Sequence, residues 1–141
     1  MRVMMMIKGD REPGHVPSDE LLAQMGRYNE ELSKAGVLLD LAALHWSAEG
    51  LRVTFSGGTR TVVGGPFGEP KEIVAGYWIL QVKSMDEAID WAKRLPFEAG
   101  GEPEAEGEIE IRQLFEMDEL GESPEVEQPR EVEDEAADKN T

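Results

Sequence analysis

Only two segments of the chain combine helical apolar spacing with helix-capping residues. In the first, Ser18 precedes two acidic residues, and apolar side chains then recur three and four residues apart until Gly36. In the second, Ser84 and Glu87 have the spacing of a capping box, and Pro96 ends the segment. The other apolar runs are short or alternate with polar residues, so they predict β-strands.

Six runs favour strands, and two of them form a hairpin. The apolar stretch after Gly36 could continue the helix, but it follows a helix stop, and we interpret it as a strand. Two alternating runs lie on either side of Ser56-Gly57-Gly58, which predicts a β-hairpin. The run from Ile73 to Val82, which is rich in β-branched and aromatic residues, predicts a central strand. The predicted strands cover residues 3–7, 37–46, 51–55, 59–63, 73–82 and 109–114.

The resulting order, β-α-β-(β-hairpin)-β-α-β, predicts an α+β fold of the ferredoxin-like type with an extra hairpin. Two helices can cover only one face of such an antiparallel sheet. The other face must still shelter Tyr77 or Trp78, whichever points that way, together with apolar residues of the neighbouring strands. Pairing of two copies through their sheets is the simplest way to cover it, so we expect a homodimer.

Charge divides the chain into a domain and a tail. The net charge is −16, and residues 118–141 hold ten acidic and two basic side chains, which account for half of it. We therefore expect a folded domain at 1–117 and a disordered acidic tail at 118–141. Because the body is also acidic, it lacks the clustered positive surface that nucleic-acid binding needs.

Other composition features restrict the class of protein further. The chain has no cysteine, which excludes disulfides, thiolate metal sites and a cysteine nucleophile and suits a reducing, cytoplasmic compartment. The apolar run after Met1 is too short for a signal peptide or a membrane span. We therefore expect no contact with membranes.

Several segments resemble, in order and at family spacing, the YCII-related proteins, and within them the branch named for a DGPF motif. They are MRVMMMIKGD, MGRYNEELSKAGVLLD, the LH before WSAEGLRVTFSGG, GGPFGEPKE, IVAGYWILQVKS, DEAIDWAKRLPF and GEIEIRQLF. The resemblance covers about residues 1 to 115. It implies a dimeric α/β barrel in which two ferredoxin-like units join their sheets, and it implies little about chemistry because fold does not give function.

The chain departs from the family pattern at two positions. Gly64 stands where the family usually has the Asp of Asp-Gly-Pro-Phe, and Trp46 stands where it often has Pro after the LH pair. A His and an Asp near one pocket have been suggested as catalytic in these proteins. The glycine at 64 puts that suggestion in doubt for this chain.

His45 is the first candidate for chemistry, because it ends a predicted strand just before a turn, where the lip of a pocket would lie. An imidazole there could act as acid or base near neutral pH, with Asp10 or Glu69 as its partner. The alternative is a half-buried imidazole satisfied by a backbone carbonyl. His15, in a Gly/Pro loop, is interpreted as solvated.

The loop from Gly64 to Glu72 is the second candidate. Its glycines, including Gly65, let the backbone approach a ligand, and Pro66 fixes the turn. Phe67 could form a pocket wall, while Glu69 and Lys71 supply charge; Trp46 is a further candidate ligand contact. The alternative is that Phe67 plugs the core or the dimer seam. A metal site is not expected, because the two histidines form no close pair with metal-ligand spacing.

Two hypotheses for function follow. The protein is an enzyme that acts on a small organic molecule without metal or redox cofactor, with His45 as acid or base. Alternatively, it is a non-catalytic module that binds a small molecule or a partner protein, which the missing Asp at position 64 favours. The sequence does not decide between them and does not identify the substrate.

Overall fold

The computed structural model describes residues 1–11, 13–97 and 107–121 of the chain. Their secondary structure follows the predicted order of strands and helices. Two short 3₁₀ turns, Ser47–Glu49 and Pro70–Glu72, are added between strands. The strands are β1 (Arg2–Lys8), β2 (Leu38–Ala43), β3 (Leu51–Ser56), β4 (Thr59–Gly64), β5 (Val74–Gln81) and β6 (Glu108–Gln113), and the helices are α1 (Asp19–Lys34) and α2 (Met85–Lys93).

Four of the strands form one antiparallel sheet, in the order β2-β5-β1-β6. This is the strand order expected of a ferredoxin-like α+β fold, and the predicted fold class is confirmed. β5 lies in the middle of the sheet, as its apolar composition predicted. β3 and β4 pair only with each other, as a separate two-stranded hairpin.

Both helices begin at the serines that the sequence indicated. The Ser18 hydroxyl accepts a hydrogen bond from the Leu21 N–H at 3.1 Å, and the Ser84 hydroxyl accepts one from the Glu87 N–H at 3.2 Å. The Glu87 carboxylate accepts in return from the Lys83 N–H, one residue before the cap. These bonds satisfy backbone donors that have no partner inside the helix.

The core lies between the helices and one face of the sheet. Because side chains alternate along a strand, the buried residues Met5 and Trp78 share this face, where they pack with helix residues such as Tyr28. The Tyr28 hydroxyl donates to the Trp91 carbonyl at 2.7 Å, which ties α1 to α2. Burial raises the pKa of Tyr28 to about 12. Of the two aromatic residues on β5, Trp78 therefore faces the helices.

The opposite face of the sheet, the open face, carries the intervening residues Met4, Met6, Tyr77 and Ile79, which are half-buried. Tyr77 donates a hydrogen bond to the Asp40 carboxylate at 3.2 Å, and this bond raises the pKa of Tyr77. No helix of the described residues covers this face. The fold thus leaves an apolar layer uncovered on one side of the sheet, as the count of helices predicted.

The predicted boundary between domain and tail falls close to the last described residues. Residues 117–120 form a turn after β6, with a hydrogen bond from the Leu120 N–H to the Met117 carbonyl at 3.2 Å. Most of the predicted acidic tail lies outside the described residues. The division at residue 117 stays a prediction.

Candidate functional site

A cavity of about 370 Å³ opens between α1 and the sheet, at the end where β1 and β2 finish and β5 begins. Its walls are mostly apolar and include Leu21, Leu22 and Met25 from α1. A cavity of this size, with apolar walls and few polar groups, is typical of sites for small organic molecules. The polar side chains along it include Asp10, Arg11, His15, Asn29 and His45.

His45 lies in this wall, but it is not part of a strand. β2 ends at Ala43, three residues earlier than the predicted end at 46. The chain leaves the sheet there and enters the turn that begins at Ser47. The position of His45 is therefore set by the loop after β2 and the turn that follows it, and not by the hydrogen bonds of the sheet.

The carboxylate next to His45 is that of Glu49. The distance between Nδ1 of His45 and Oε2 of Glu49 is 2.7 Å, and both side chains are more than half exposed. The imidazole also packs edge-on against the ring of Trp46, with 4.3 Å between ring centroids. From the sequence we expected Asp10 or Glu69 as the partner of His45; the structure places Glu49 there.

Asp10 lines the same cavity as His45, but its carboxylate is occupied by other donors. It accepts hydrogen bonds from the Ser47 hydroxyl, from the Ser47 N–H at 3.0 Å and from the Arg11 N–H at 3.0 Å. The hydrogen bond from the Ser47 hydroxyl is the main cause that lowers the pKa of Asp10. Asp10, which lies just after β1, thus ties the Ser47 turn to the end of that strand. His45 is adjacent to this turn.

Glu69 lies apart from both histidines. Its carboxylate is 3.7 Å from the Lys71 ammonium, and both side chains are more than two-thirds exposed. Neither residue lines the 370 Å³ cavity or the neighbouring cavity described below. An exposed pair of this kind contributes little to stability. The structure therefore does not bring Glu69 or Lys71 together with His45.

Gly65 packs directly against the Ser47 turn, and Pro66 follows it in the loop. The Gly65 N–H donates to the Gly50 carbonyl at 3.0 Å, and the Gly65–Pro66 peptide bond is cis. A Cβ atom at Gly65 would lie 1.7 Å from the Ser47 carbonyl oxygen, so only glycine fits. The close approach predicted for this glycine is made to the protein's own backbone.

Phe67 packs on the same turn from another side. One edge of its ring would be 3.0 Å from a Cβ atom at Gly50, and the Arg52 guanidinium lies over the ring at 4.2 Å. Phe67 also borders a second, more open cavity of about 460 Å³. His45 and Trp46 line both cavities and separate them. Phe67 and Trp46 thus form walls and leave the first cavity open.

The sequence alone did not identify three residues as part of this region: Ser47, Glu49 and Arg52. A signal for Glu49 was present, because residues four apart can meet in a helical turn. The segment after Trp46 was interpreted only as a turn, which hid that spacing. Ser47 and Arg52 act through contacts distant in sequence, with Asp10 and Phe67, and a single sequence gives no local signal for those.

Within the described ranges, no group of three or more His, Asp or Glu side chains is arranged to hold a metal ion. Neither described helix has the length and apolar character that crossing a bilayer requires.

Comparison with known proteins identifies the family of this chain. The chain is 29% identical over 77 residues to an uncharacterized protein of Rhizobium meliloti (strain 1021), an alignment that covers 55% of this chain and 62% of the relative. The chain thus spans less than two-thirds of that relative's length. Residues 1–118, which contain the cavity and every strand and helix that the structure describes, match the family described as the YCII-related domain. The match does not distinguish the DGPF branch from the rest of the family. The chain therefore belongs to the YCII-related domain family.

Proposed function

We propose that this protein is an acid–base catalyst for a small organic molecule with a largely apolar body, and that His45 is the group that moves the proton. The observation that carries the proposal is the contact of 2.7 Å between Glu49 and His45, a residue that lies in the wall of an apolar cavity. A histidine oriented by a carboxylate next to a substrate-sized cavity is the arrangement that general acid–base catalysis requires.

Glu49 sets the chemistry of the imidazole. Its carboxylate can only accept, so in the neutral imidazole the Nδ1 atom carries the hydrogen and donates it to Glu49. The other nitrogen, Nε2, then holds the lone pair and can take a proton from a substrate.

Asp10 and Gly65, two of the other candidate residues, position the imidazole. Ser47 ties the turn to Asp10, and Gly65 lets the loop after β4 pack against the same turn. His45 and Glu49 lie on either side of Ser47, so both are carried by this anchored turn. Asp10 and Gly65 are positioning residues in this proposal, and His45 is the catalytic residue.

Elimination of nitrobenzisoxazole tests the proposal without knowledge of the natural substrate. In this reaction a base takes the proton from the ring carbon, the N–O bond breaks, and the electrons form a nitrile and a coloured phenolate. The substrate is a small aromatic molecule that suits an apolar cavity. We expect saturable turnover, a kcat/KM at least about tenfold lower in His45→Ala, and a smaller loss in Glu49→Gln.

His15→Gln is the matched control, because His15 lines the same cavity and has no described carboxylate contact. It should retain wild-type kcat/KM. Equal rates for the wild type and His45→Ala, with both proteins folded, would remove His45 from the proposal.

A non-catalytic binding module is the second candidate, and the state of Asp10 favours it. The Asp10 carboxylate already receives three hydrogen bonds, and position 64 offers no side chain, so neither of these two positions supplies a free carboxylate beside the His45–Glu49 pair. Saturable shifts of the Trp46 indole NMR signal with nitrobenzisoxazole, without turnover that depends on His45, would support this candidate.

We also propose that the protein is a cytoplasmic homodimer joined through the open faces of two sheets. Four half-buried apolar or aromatic side chains support this, since water-exposed apolar layers of this kind are usually covered by a partner. The absence of cysteine supports a reducing compartment. An isologous pair would bring each open face against its copy.

A further inference from the structure

One polar side chain of the 370 Å³ cavity has no part in the proposed chemistry of His45. Asn29, on α1, lines the cavity next to Trp78 of β5, whose side chain is buried. Trp78 pairs with Leu41 within β2, whereas His45 lies beyond the end of that strand. Asn29 therefore lies at the end of the cavity nearer the middle of the sheet, and His45 lies at the loop end.

The indole of Trp78 fixes the orientation of the Asn29 amide. Its Nε1–H donates to Oδ1 of Asn29 at 2.8 Å. An indole nitrogen can only donate, so the atom that it meets must be the amide oxygen, and the NH2 group occupies the other branch of the amide. Since Trp78 is itself packed in the core, the amide is held in this orientation.

The Nδ2 atom of Asn29 is a donor that forms no hydrogen bond with any residue in the described ranges. Every fully buried side-chain nitrogen or oxygen of those residues has a partner. Nδ2 is therefore not sealed in the core but reachable from solvent, although the residue as a whole is half-buried. A donor of this kind in the wall of an apolar cavity is suited to the acceptor of a ligand.

The charged residues of the cavity lie in another part of its wall. Asp10 and Arg11 follow the end of β1, and His15 lies in the loop that leads to α1. On the helix, the lining residue that precedes Asn29 by about one turn is the apolar Met25. A carboxylate bound beside Asn29 would lose its hydration without a cation next to it, which is costly, whereas a carbonyl oxygen needs only a donor.

We propose that Nδ2 of Asn29 binds the carbonyl oxygen of the substrate and thereby selects uncharged, apolar carbonyl compounds over carboxylic acids. This substrate class rests on the proposed function, in which His45 takes the proton. The carbonyl group lies at the Asn29 end of the cavity, and the carbon that loses its proton lies at the His45 end. Asn29 determines specificity and takes no part in the proton transfer.

Three probes of similar shape test the donor. Acetophenone carries a carbonyl group, α-methylstyrene has a methylene group in place of its oxygen, and benzoate has a charged oxygen in place of its methyl group. Titration of each probe into the isotope-labelled full chain at pH 7, followed by NMR, gives the dissociation constant and the shift of the Asn29 NH2 signals. The NH2 signals that are missing from the spectrum of Asn29→Asp identify this amide.

Two variants remove the donor in different ways. Asn29→Asp keeps an oxygen for the Trp78 indole, and Asn29→Leu adds no charge. Gln24→Glu is the matched control, because it makes the same change from amide to carboxylate on α1 at a residue that does not line the cavity. The indole N–H signal of Trp78 should stay in place in Asn29→Asp, which shows that this wall of the cavity is intact.

We expect acetophenone, and not α-methylstyrene, to move the Asn29 NH2 signals downfield in a saturable way. The preference for acetophenone, measured as the ratio of the two dissociation constants, should fall about three- to tenfold in both Asn29 variants, because one hydrogen bond is lost. It should change less than about twofold in Gln24→Glu. Benzoate should bind at least about tenfold more weakly than acetophenone.

Three results would overturn the proposal: acetophenone that binds without moving the Asn29 signals, a preference for acetophenone that is equal in wild type and both Asn29 variants, and benzoate that binds as tightly as acetophenone. A lack of binding by every probe at millimolar concentration would overturn it as well. Nitrobenzisoxazole turnover measures His45 separately. Turnover that does not depend on His45, with an intact Asn29 shift, removes the proton transfer and leaves the binding site; the reverse result removes the substrate class alone.

Discussion

At the scale of single residues, the site depends on a short chain of contacts around Ser47. This buried serine binds Asp10 through its hydroxyl and its N–H, while its carbonyl lies against Gly65. The histidine and the glutamate of the candidate dyad lie two residues to either side. Small changes near Ser47 should therefore move His45 and Glu49 together, although neither is altered.

Gly65→Ala and Gly64→Ala form a matched pair that tests this packing. A methyl group at Gly65 would overlap the Ser47 carbonyl, whereas one at Gly64 would meet only the Leu51 side chain, at 4.0 Å. We expect Gly65→Ala to lower the free energy of unfolding by about 2 to 4 kcal/mol, and Gly64→Ala to change it by less than about 1 kcal/mol. Urea unfolding monitored by tryptophan fluorescence measures both, and equal values would contradict the packing described.

At the scale of secondary-structure elements, the two helices are joined to each other as well as to the sheet. Tyr28 of α1 donates to the carbonyl of Trp91 in α2 and stands edge-on to the rings of Trp78 and Trp91. Arg94, just after α2, reaches back to Glu31 of α1 at 2.6 Å. α1 forms one wall of the cavity, so this link between the helices also fixes the position of that wall.

Tyr28→Phe removes the hydroxyl from this link. The Trp91 carbonyl then keeps the bond from the Arg94 N–H at 3.1 Å but loses the one from Tyr28, and we expect the free energy of unfolding to fall by about 1 kcal/mol at pH 7. The folded-state pKa of about 12 lies above the ordinary value of 10.0. The stability that Tyr28 provides is therefore complete below pH 10 and is lost as the pH rises towards 12, because the unfolded chain loses the proton first. Thermal unfolding from pH 8 to 11.5 should show a steeper alkaline loss in wild type than in Tyr28→Phe; identical slopes would contradict the assignment.

At the scale of the whole molecule, two helices shelter one side of a four-stranded sheet, and two apolar surfaces lie uncovered among the residues that the structure describes. One is the open face of the sheet, and the other is the exposed apolar side of the β3–β4 hairpin, formed by Leu51, Val53, Phe55 and Val62. The cavity lies on the helical side, between α1 and the sheet. Association through the open face would therefore leave the cavity wall formed by α1 in place.

Met6→Lys tests the open face. Met6 pairs with Tyr77 and with Glu110, so a lysine there would put a charge in the middle of the expected contact between sheets. We expect the dimer dissociation constant to rise at least about tenfold, because a lysine at this position must lose its hydration in the contact and Glu110 offsets that cost only in part. Leu120→Lys, a change at an exposed apolar residue of the last turn, is the control and should leave the constant unchanged. Native mass spectrometry at several concentrations distinguishes the two outcomes, and an intact dimer in Met6→Lys would exclude this interface.

Local patterns in the sequence determined most of the elements. Serine caps, apolar periods and glycine turns act over a few residues, so they predicted both helices, the hairpin and the central position of β5. The family resemblance is likewise carried by residues in order along the chain, and the family is confirmed. The candidate histidine was found for the same reason, because its position before a turn is visible in sequence.

Only the tertiary structure decided which groups meet at the site. Asp10 and Ser47 are 37 residues apart, and the end of β1 brings them together. Gly65 reaches Ser47 because the hairpin returns the chain to its own base. Glu49 becomes the neighbour of His45 because β2 ends early and the next residues coil. Contacts of this kind depend on where strands end and loops pack, and those positions result from packing across the whole domain, which no local pattern records.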